Sequence, residues 1–220
     1  MRSDTDTEFE TWTDITTIYD FTDRWQYNGD QGIRGVVSRN DFTILYLRPS
    51  VHYRVKPWFT VHGGIGFFQT FIEDDGNISE LRPWQGLQIV WPEIGGYAIS
   101  HYLHLEERML WLSGQRSDAD FFTLRSRYRL GVGSPTYKVL FKNGIFWNGS
   151  LELFWDVETS FADNLVHRIR YDLGVGTHFS KAWRVELHYV LQDGRVIDQV
   201  FQNPFSSEEH ILRLRLFYQF

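Results

Sequence analysis

The sequence predicts an all-β chain folded as a transmembrane, antiparallel, up-and-down β-barrel of about twelve strands, with ten as the second choice. Three observations predict it. Apolar and polar residues alternate with a period of two along nearly the whole chain, tryptophans recur just after short turns, and the last strand carries an apolar face that ends at Phe220.

Composition narrows the class further. The 220 residues suffice for one sizeable domain. No run approaches the roughly 20 apolar residues of a membrane-crossing helix, whereas a barrel strand needs only about 10, with lipid meeting every second one. Aromatic residues make up 17% of the chain, as 18 Phe, 11 Tyr and 9 Trp. Of the 22 basic residues, 18 are Arg and 4 are Lys, and Arg is favoured where a cation is held in a fixed, multiply hydrogen-bonded network. The chain has no Cys, which excludes disulfide scaffolds and Cys-based metal sites. Its first six residues are polar and acidic, unlike a secretory signal. Residues 1–8 are therefore expected to be a disordered or added segment and 9–220 the barrel, with an export signal already removed.

Strands are expected, in order, at 10–20 and 25–37, joined by a short turn at 21–24 that leads into Trp25. Next come 42–54 and 58–72, joined at 55–57 beside Trp58. The polar linker Glu73–Asn77 leads to 79–90, then 98–112, then the linker Ser113–Asp118. In 121–132, Leu124, Tyr128 and Leu130 oppose Arg125, Arg127 and Arg129. In 145–156, Leu151, Leu153 and Trp155 alternate with Ser150, Glu152, Phe154 and Asp156. Ile169, Tyr171, Leu173 and Val175 mark 165–177, and Trp183, Val185, Leu187 and Tyr189 mark 183–192 after a short turn at 178–182. A long polar linker, 192–209, precedes 209–220, where Leu212, Leu214, Leu216, Tyr218 and Phe220 share one face. Tyr218 and the closing Phe220 look like the signal read by the outer-membrane barrel assembly machinery. These segments number eleven, yet single-chain bacterial barrels have even numbers. Twelve is preferred, with the further strand sought in Met1–Glu10 or within 192–209.

If the apolar face meets lipid, the other face lines the interior. By parity that face collects Arg34, Arg48, His52, Arg54, Glu80, Arg82, His104, Glu106, Arg108, Arg125, Arg127, Arg129, Glu152, Asp156, Arg168, Arg170, Asp172, Arg184, Glu186, His188, Arg213 and Arg215. The whole chain carries −6, so acidic residues gather in the linkers. Two readings stay open. Arg–carboxylate pairs fill a narrow interior, since an unpaired buried charge is costly; or surplus Arg draws small anions into a water-filled path.

No catalytic, cofactor or metal site stands out. Ser100, His104 and Glu106 share a strand face, but Ser100 and His104 are about 13 Å apart along a strand, too far for a nucleophile and its base. Asp74 and Asp75, beside Gly76 and Asn77, are a weak Ca²⁺ candidate and read better as a solvated turn. Gly131, Gly133, Gly174 and Gly176 lie in or at the ends of strands, not in a nucleotide loop, and there relieve crowding. No basic tail exists, which argues against nucleic acid.

Several short pieces, in this order, resemble the bacterial outer-membrane barrels catalogued as domain-of-unknown-function family 2490, also described as short porin-like. They are Asp23-Arg24-Trp25, Glu80-Leu81-Arg82-Pro83, Leu105-Glu106-Glu107-Arg108, Leu124-Arg125-Ser126-Arg127-Tyr128-Arg129-Leu130, Leu151-Glu152-Leu153-Phe154, Arg168-Ile169-Arg170-Tyr171 and the closing strand. The resemblance covers about 9–220. It implies an outer-membrane barrel with Arg and Glu inside and carries over no catalytic residue.

The expected role is that of a small porin-like or structural outer-membrane barrel that passes or binds small anionic solutes, without enzymatic activity or cofactor. Its expected partners are outer-membrane lipid and lipopolysaccharide, the assembly machinery, and in one variant another envelope protein. The alternatives are a non-conducting subunit or anchor, a lipid-modifying barrel enzyme, and a soluble lipocalin-like barrel that turns its apolar face inward.

Overall fold

A computed structural model of the chain describes residues 6–36, 42–72, 76–113, 120–139, 143–157, 168–197 and 204–220. Among these residues eleven strands run consecutively: β1 (Asp6–Asp20), β2 (Trp25–Val36), β3 (Phe42–Lys56), β4 (Phe59–Ile72), β5 (Gly76–Val90), β6 (Ala98–Ser113), β7 (Asp120–Gly133), β8 (Phe146–Asp156), β9 (Arg168–His178), β10 (Trp183–Ile197) and β11 (Pro204–Gln219). Each pairs antiparallel with its sequence neighbour, and β1 closes on β11 to make a complete barrel. Closure removes every free sheet edge.

Among the described residues the strands total eleven rather than the preferred twelve, and the closure explains how an odd number is possible. In a meander every strand reverses direction, so the first and eleventh run the same way. β1 and β11 accordingly pair in parallel, from Asp6 opposite Ser207 to Ile18 opposite Gln219. Among the described residues of 192–209 no further strand is found. Instead the β10–β11 ladder extends through it, with Ile197 paired to Pro204, leaving only 198–203 outside the described residues.

The turns show why particular residues end the strands. In Phe21-Thr22-Asp23-Arg24-Trp25, the Phe21 and Thr22 amides donate to the Trp25 carbonyl (2.9 and 3.2 Å). The Thr22 hydroxyl accepts from the Arg24 and Trp25 amides (3.2 and 3.0 Å). Phe179-Ser180-Lys181-Ala182-Trp183 repeats the pattern, with Ser180 accepting from Ala182 and Trp183 (3.2 and 3.1 Å). A short hydroxyl side chain substitutes for a backbone acceptor in both turns. Between β5 and β6, Ile94 and Tyr97 exchange backbone bonds of 3.1 Å around Gly95 and Gly96. Both glycines have positive φ (61° and 82°), as a two-residue hairpin of this hand requires.

Parity sorts the side chains. Leu45, Leu47, Val51, Phe67, Leu87, Leu103, Tyr171, Leu173, Val175, Leu187, Tyr189, Leu212 and Leu214 point outward and are exposed. The apolar face is therefore outside, the reverse of a lipocalin-like arrangement. Exposed aromatic residues mark both ends of this belt: Phe9, Phe71, Trp111 and Phe122 toward one end, and Trp25, Trp58, Trp91 and Trp183 at the short turns. The inward face holds the buried residues, polar ones included: Asp14, His104, Glu152, Glu186, His188 and Gln192 beside Trp12, Val190 and Ile211.

Candidate functional site

Charge clusters tie neighbouring strands together inside the barrel. At the closing seam, Asp14 on β1 accepts from Arg213 Nε (2.6 Å) and Arg215 Nε (3.0 Å) on β11. Glu80 on β5 holds Arg82 and, from β6, Arg108, each at 2.5 Å. Glu106 faces Arg125 at 3.6 Å and the His104 ring at 3.3 Å. Glu152 on β8 serves three arginines from both flanking strands: Arg170 at 3.1 Å, Arg127 at 3.8 Å and Arg129 at 3.9 Å. Gln192 Oε1 accepts twice from Arg170 (2.8 and 2.5 Å), while its amide donates to Glu209, which also faces Arg168 at 3.7 Å. Nearer the turns, His188 lies between Asp172 (2.5 Å) and Glu186 (2.8 Å), and Arg184 joins Glu186 at 2.9 Å.

Aromatic rings supply a second set of contacts, which residue types and parity alone did not reveal. The Arg34 guanidinium lies 4.2 Å from the Trp12 ring centroid and 4.6 Å from that of Tyr46. Tyr46 stacks on Phe68 at 5.6 Å, and Arg82 covers Phe68 at 3.8 Å. Beyond Trp12 the series continues through Arg170 (5.2 Å) to Phe154 (5.0 Å from Arg170), with Arg127 5.7 Å from Phe154. Cations and rings thus alternate around much of the interior wall, and such contacts strengthen when desolvated. The available signal was the inward parity of Trp12, Tyr46, Phe68 and Phe154 beside inward arginines on adjoining strands.

These groups surround a cavity of about 660 Å³ reached by residues of all eleven described strands. Its wall runs from Glu10, Phe42 and Arg168 near the loop ends to Asn28, His52 and Gln88 nearer the turns. Eleven arginines and six carboxylates border it; Glu80 and Asp14, just behind that lining, pair with four of the arginines, which leaves an excess of three positive charges over these groups. Of the residues expected inside, Arg82, Glu106, Arg108, Arg125, Arg127, Arg129, Glu152, Arg168, Arg170, Arg213 and Arg215 line the cavity. His104 and Glu186 are buried behind the wall, and Arg184 is half-buried on the same face. Arg54 is exposed at the turn end, where it donates to the Asp23 carbonyl at 2.7 Å. The side chain of Asp156 and residues Asp74 and Asp75 lie outside the described residues. Tyr218 and Phe220 point outward at the base of the seam, with ring centroids 4.6 Å apart, and the Phe220 amide donates to the Ile18 carbonyl at 3.0 Å.

The arrangement does not assemble Ser100, His104 and Glu106 into a nucleophile set. His104 stacks on Trp84 at 4.8 Å and contacts Tyr102 (3.0 Å) and Glu106 (3.3 Å); among the described residues no serine hydroxyl bonds its ring. A serine–histidine contact does occur between Ser50 and His52 at 3.2 Å. Ser50 spends its only proton on the Asn28 carbonyl (2.8 Å), so the imidazole faces a serine oxygen already committed as a donor. Among the described residues no group of three or more His, Asp or Glu could hold a metal ion. Fixed guanidinium groups, most of them paired with carboxylates, make up most of the charged surface of this interior.

No curated protein matches the chain. The family model described as protein of unknown function, DUF2490, matches residues 9–200, and with that span the chain belongs to this family.

Proposed function

We propose that the chain is a bacterial outer-membrane barrel whose interior admits and binds small anionic solutes, in a non-enzymatic role. The observation that carries this reading is the cavity of about 660 Å³ bordered by eleven arginines and six carboxylates. Surplus fixed positive charge raises the local anion concentration. The membrane assignment is supported by the exposed outward Leu, Val and Phe belt between two sets of aromatic residues, the arrangement expected where lipid meets water. Lipid and lipopolysaccharide then cover the belt, and the barrel assembly machinery delivers it there.

The test is conductance of the refolded chain in a planar bilayer under a KCl gradient. Open steps with a reversal potential toward chloride support the reading. Stable insertion without conductance favours the second reading, a closed structural barrel or anchor for another envelope protein. That reading draws on the ring–cation series and the Glu152 cluster, which fill much of the wall.

A further inference from the structure

We propose that the free edge of the Arg34 guanidinium is an oxyanion site, taking one phosphate or carboxylate group of a small solute; this rests on the interior being open to solutes. A guanidinium has two kinds of surface. Its flat faces interact with rings, and its N–H edge donates in a planar fork that matches an oxyanion. At Arg34 the faces are engaged by Trp12 and Tyr46. The edge is not: among the described residues Arg34 makes no hydrogen bond or ion pair, and its Nε is buried without a partner. It borders the cavity.

Its neighbours do not supply the acceptor. Glu10 accepts from the Trp12 indole at 2.6 Å and forms no ion pair with Arg34. Arg48, Arg82 and Arg213 add their charges to the surroundings of Arg34. Each already has its own carboxylate: Asp30 at 3.5 Å, Glu80 at 2.5 Å and Asp14 at 2.6 Å. Arg34 is thus oriented by its rings, with the Glu10 carboxylate near but not paired to it and three arginines adding positive charge around it, and left with donors unmade at the cavity wall. Buried donors without acceptors are costly, and a bound oxyanion relieves that cost.

The experiment is calorimetric titration of inorganic phosphate into the full chain refolded in detergent, at constant ionic strength set with chloride. Saturable binding is expected, weakened at least about tenfold by Arg34→Met. Arg34→Lys, which keeps the charge and loses the fork, should weaken it by an intermediate factor. Arg184→Gln removes one interior charge away from the cavity and should change affinity by less than about threefold. Absence of saturable binding overturns the site, and so does equal weakening by Arg34→Met and Arg184→Gln, which indicates an undifferentiated positive field. Should Arg34→Met lose its β-sheet circular dichroism, Arg34→Lys decides: unchanged affinity overturns the site. Chloride selectivity in the planar bilayer is read separately. Selectivity without phosphate saturation removes the site and leaves the anion-admitting barrel standing; loss of selectivity removes the broader reading.

Discussion

The Arg34 guanidinium and the Trp12 ring lie 4.2 Å apart across the β1–β2 pair, in directly opposed positions. Trp12 is 4% exposed, and Arg170 and Arg213 approach the same ring at 5.2 and 5.6 Å. Three cations from three strands therefore share one indole. Replacing it by Trp12→Leu should lower stability by about 3 kcal/mol, through lost packing and lost cation–π attraction. Trp12→Phe should cost less, since it keeps a ring. Urea unfolding from lipid vesicles measures both, and equal losses for the two variants would show that area, not the π face, matters.

Asp14 is the sole carboxylate that either Arg213 or Arg215 contacts among the described ion pairs, and it is 2% exposed. Asp14→Ala leaves two inward guanidinium groups without their anion, and about 3–5 kcal/mol of stability should be lost. The same urea titration reports it. A loss under about 1 kcal/mol would mean that water or another carboxylate substitutes readily at the seam.

Gly174 lies beneath His188, and a Cβ there would sit 2.5 Å from the imidazole. The ring cannot easily withdraw, because Asp172 and Glu186 hold both its nitrogens. Gly174→Ala should therefore cost about 1–3 kcal/mol. Gly133→Ala, where nothing lies within 4 Å, should be neutral or slightly stabilising. Thermal unfolding of the pair checks the contrast; similar midpoints would mean that His188 moves at little cost.

Leu173, at the middle of β9, is 60% exposed on the outward face. In a bilayer Leu173→Arg should cost about 2–4 kcal/mol, while in a soluble barrel the same change at an exposed site falls within about 0.5 kcal/mol. Refolding yield and urea stability in vesicles distinguish the two. A neutral result would remove the membrane assignment.

The strands were legible because every second residue reports its face. Leu187 and Tyr189 outward with Glu186 and His188 inward leave β10 no other placement. Its length was not legible. Beyond Gln192 the polar sequence reads as linker, while the ladder to β11 continues to Ile197 because backbone pairing needs no apolar face. Parity also placed Arg127, Arg170 and Glu152 on one wall, but not their partners, since register between strands decides that Glu152 meets arginines on both sides. The parallel seam was hidden for a related reason: a preference for even strand numbers is a statistic, and the geometry of a meander permits an odd barrel that pairs its ends in parallel.

That seam has a consequence for how the chain finds one native alignment. In the parallel pairing Trp12 lies opposite Arg213 and Asp14 opposite Arg215, with Ile211 and Phe217 the next inward residues on β11. Sliding β11 by two residues either way preserves inside and outside, so lipid contact alone would tolerate it. But each slide exchanges one of the two arginines beside Asp14 for Ile211 or Phe217, leaving one cation unmatched. The carboxylate thus works as a two-point gauge, and an off-by-two closure fails it.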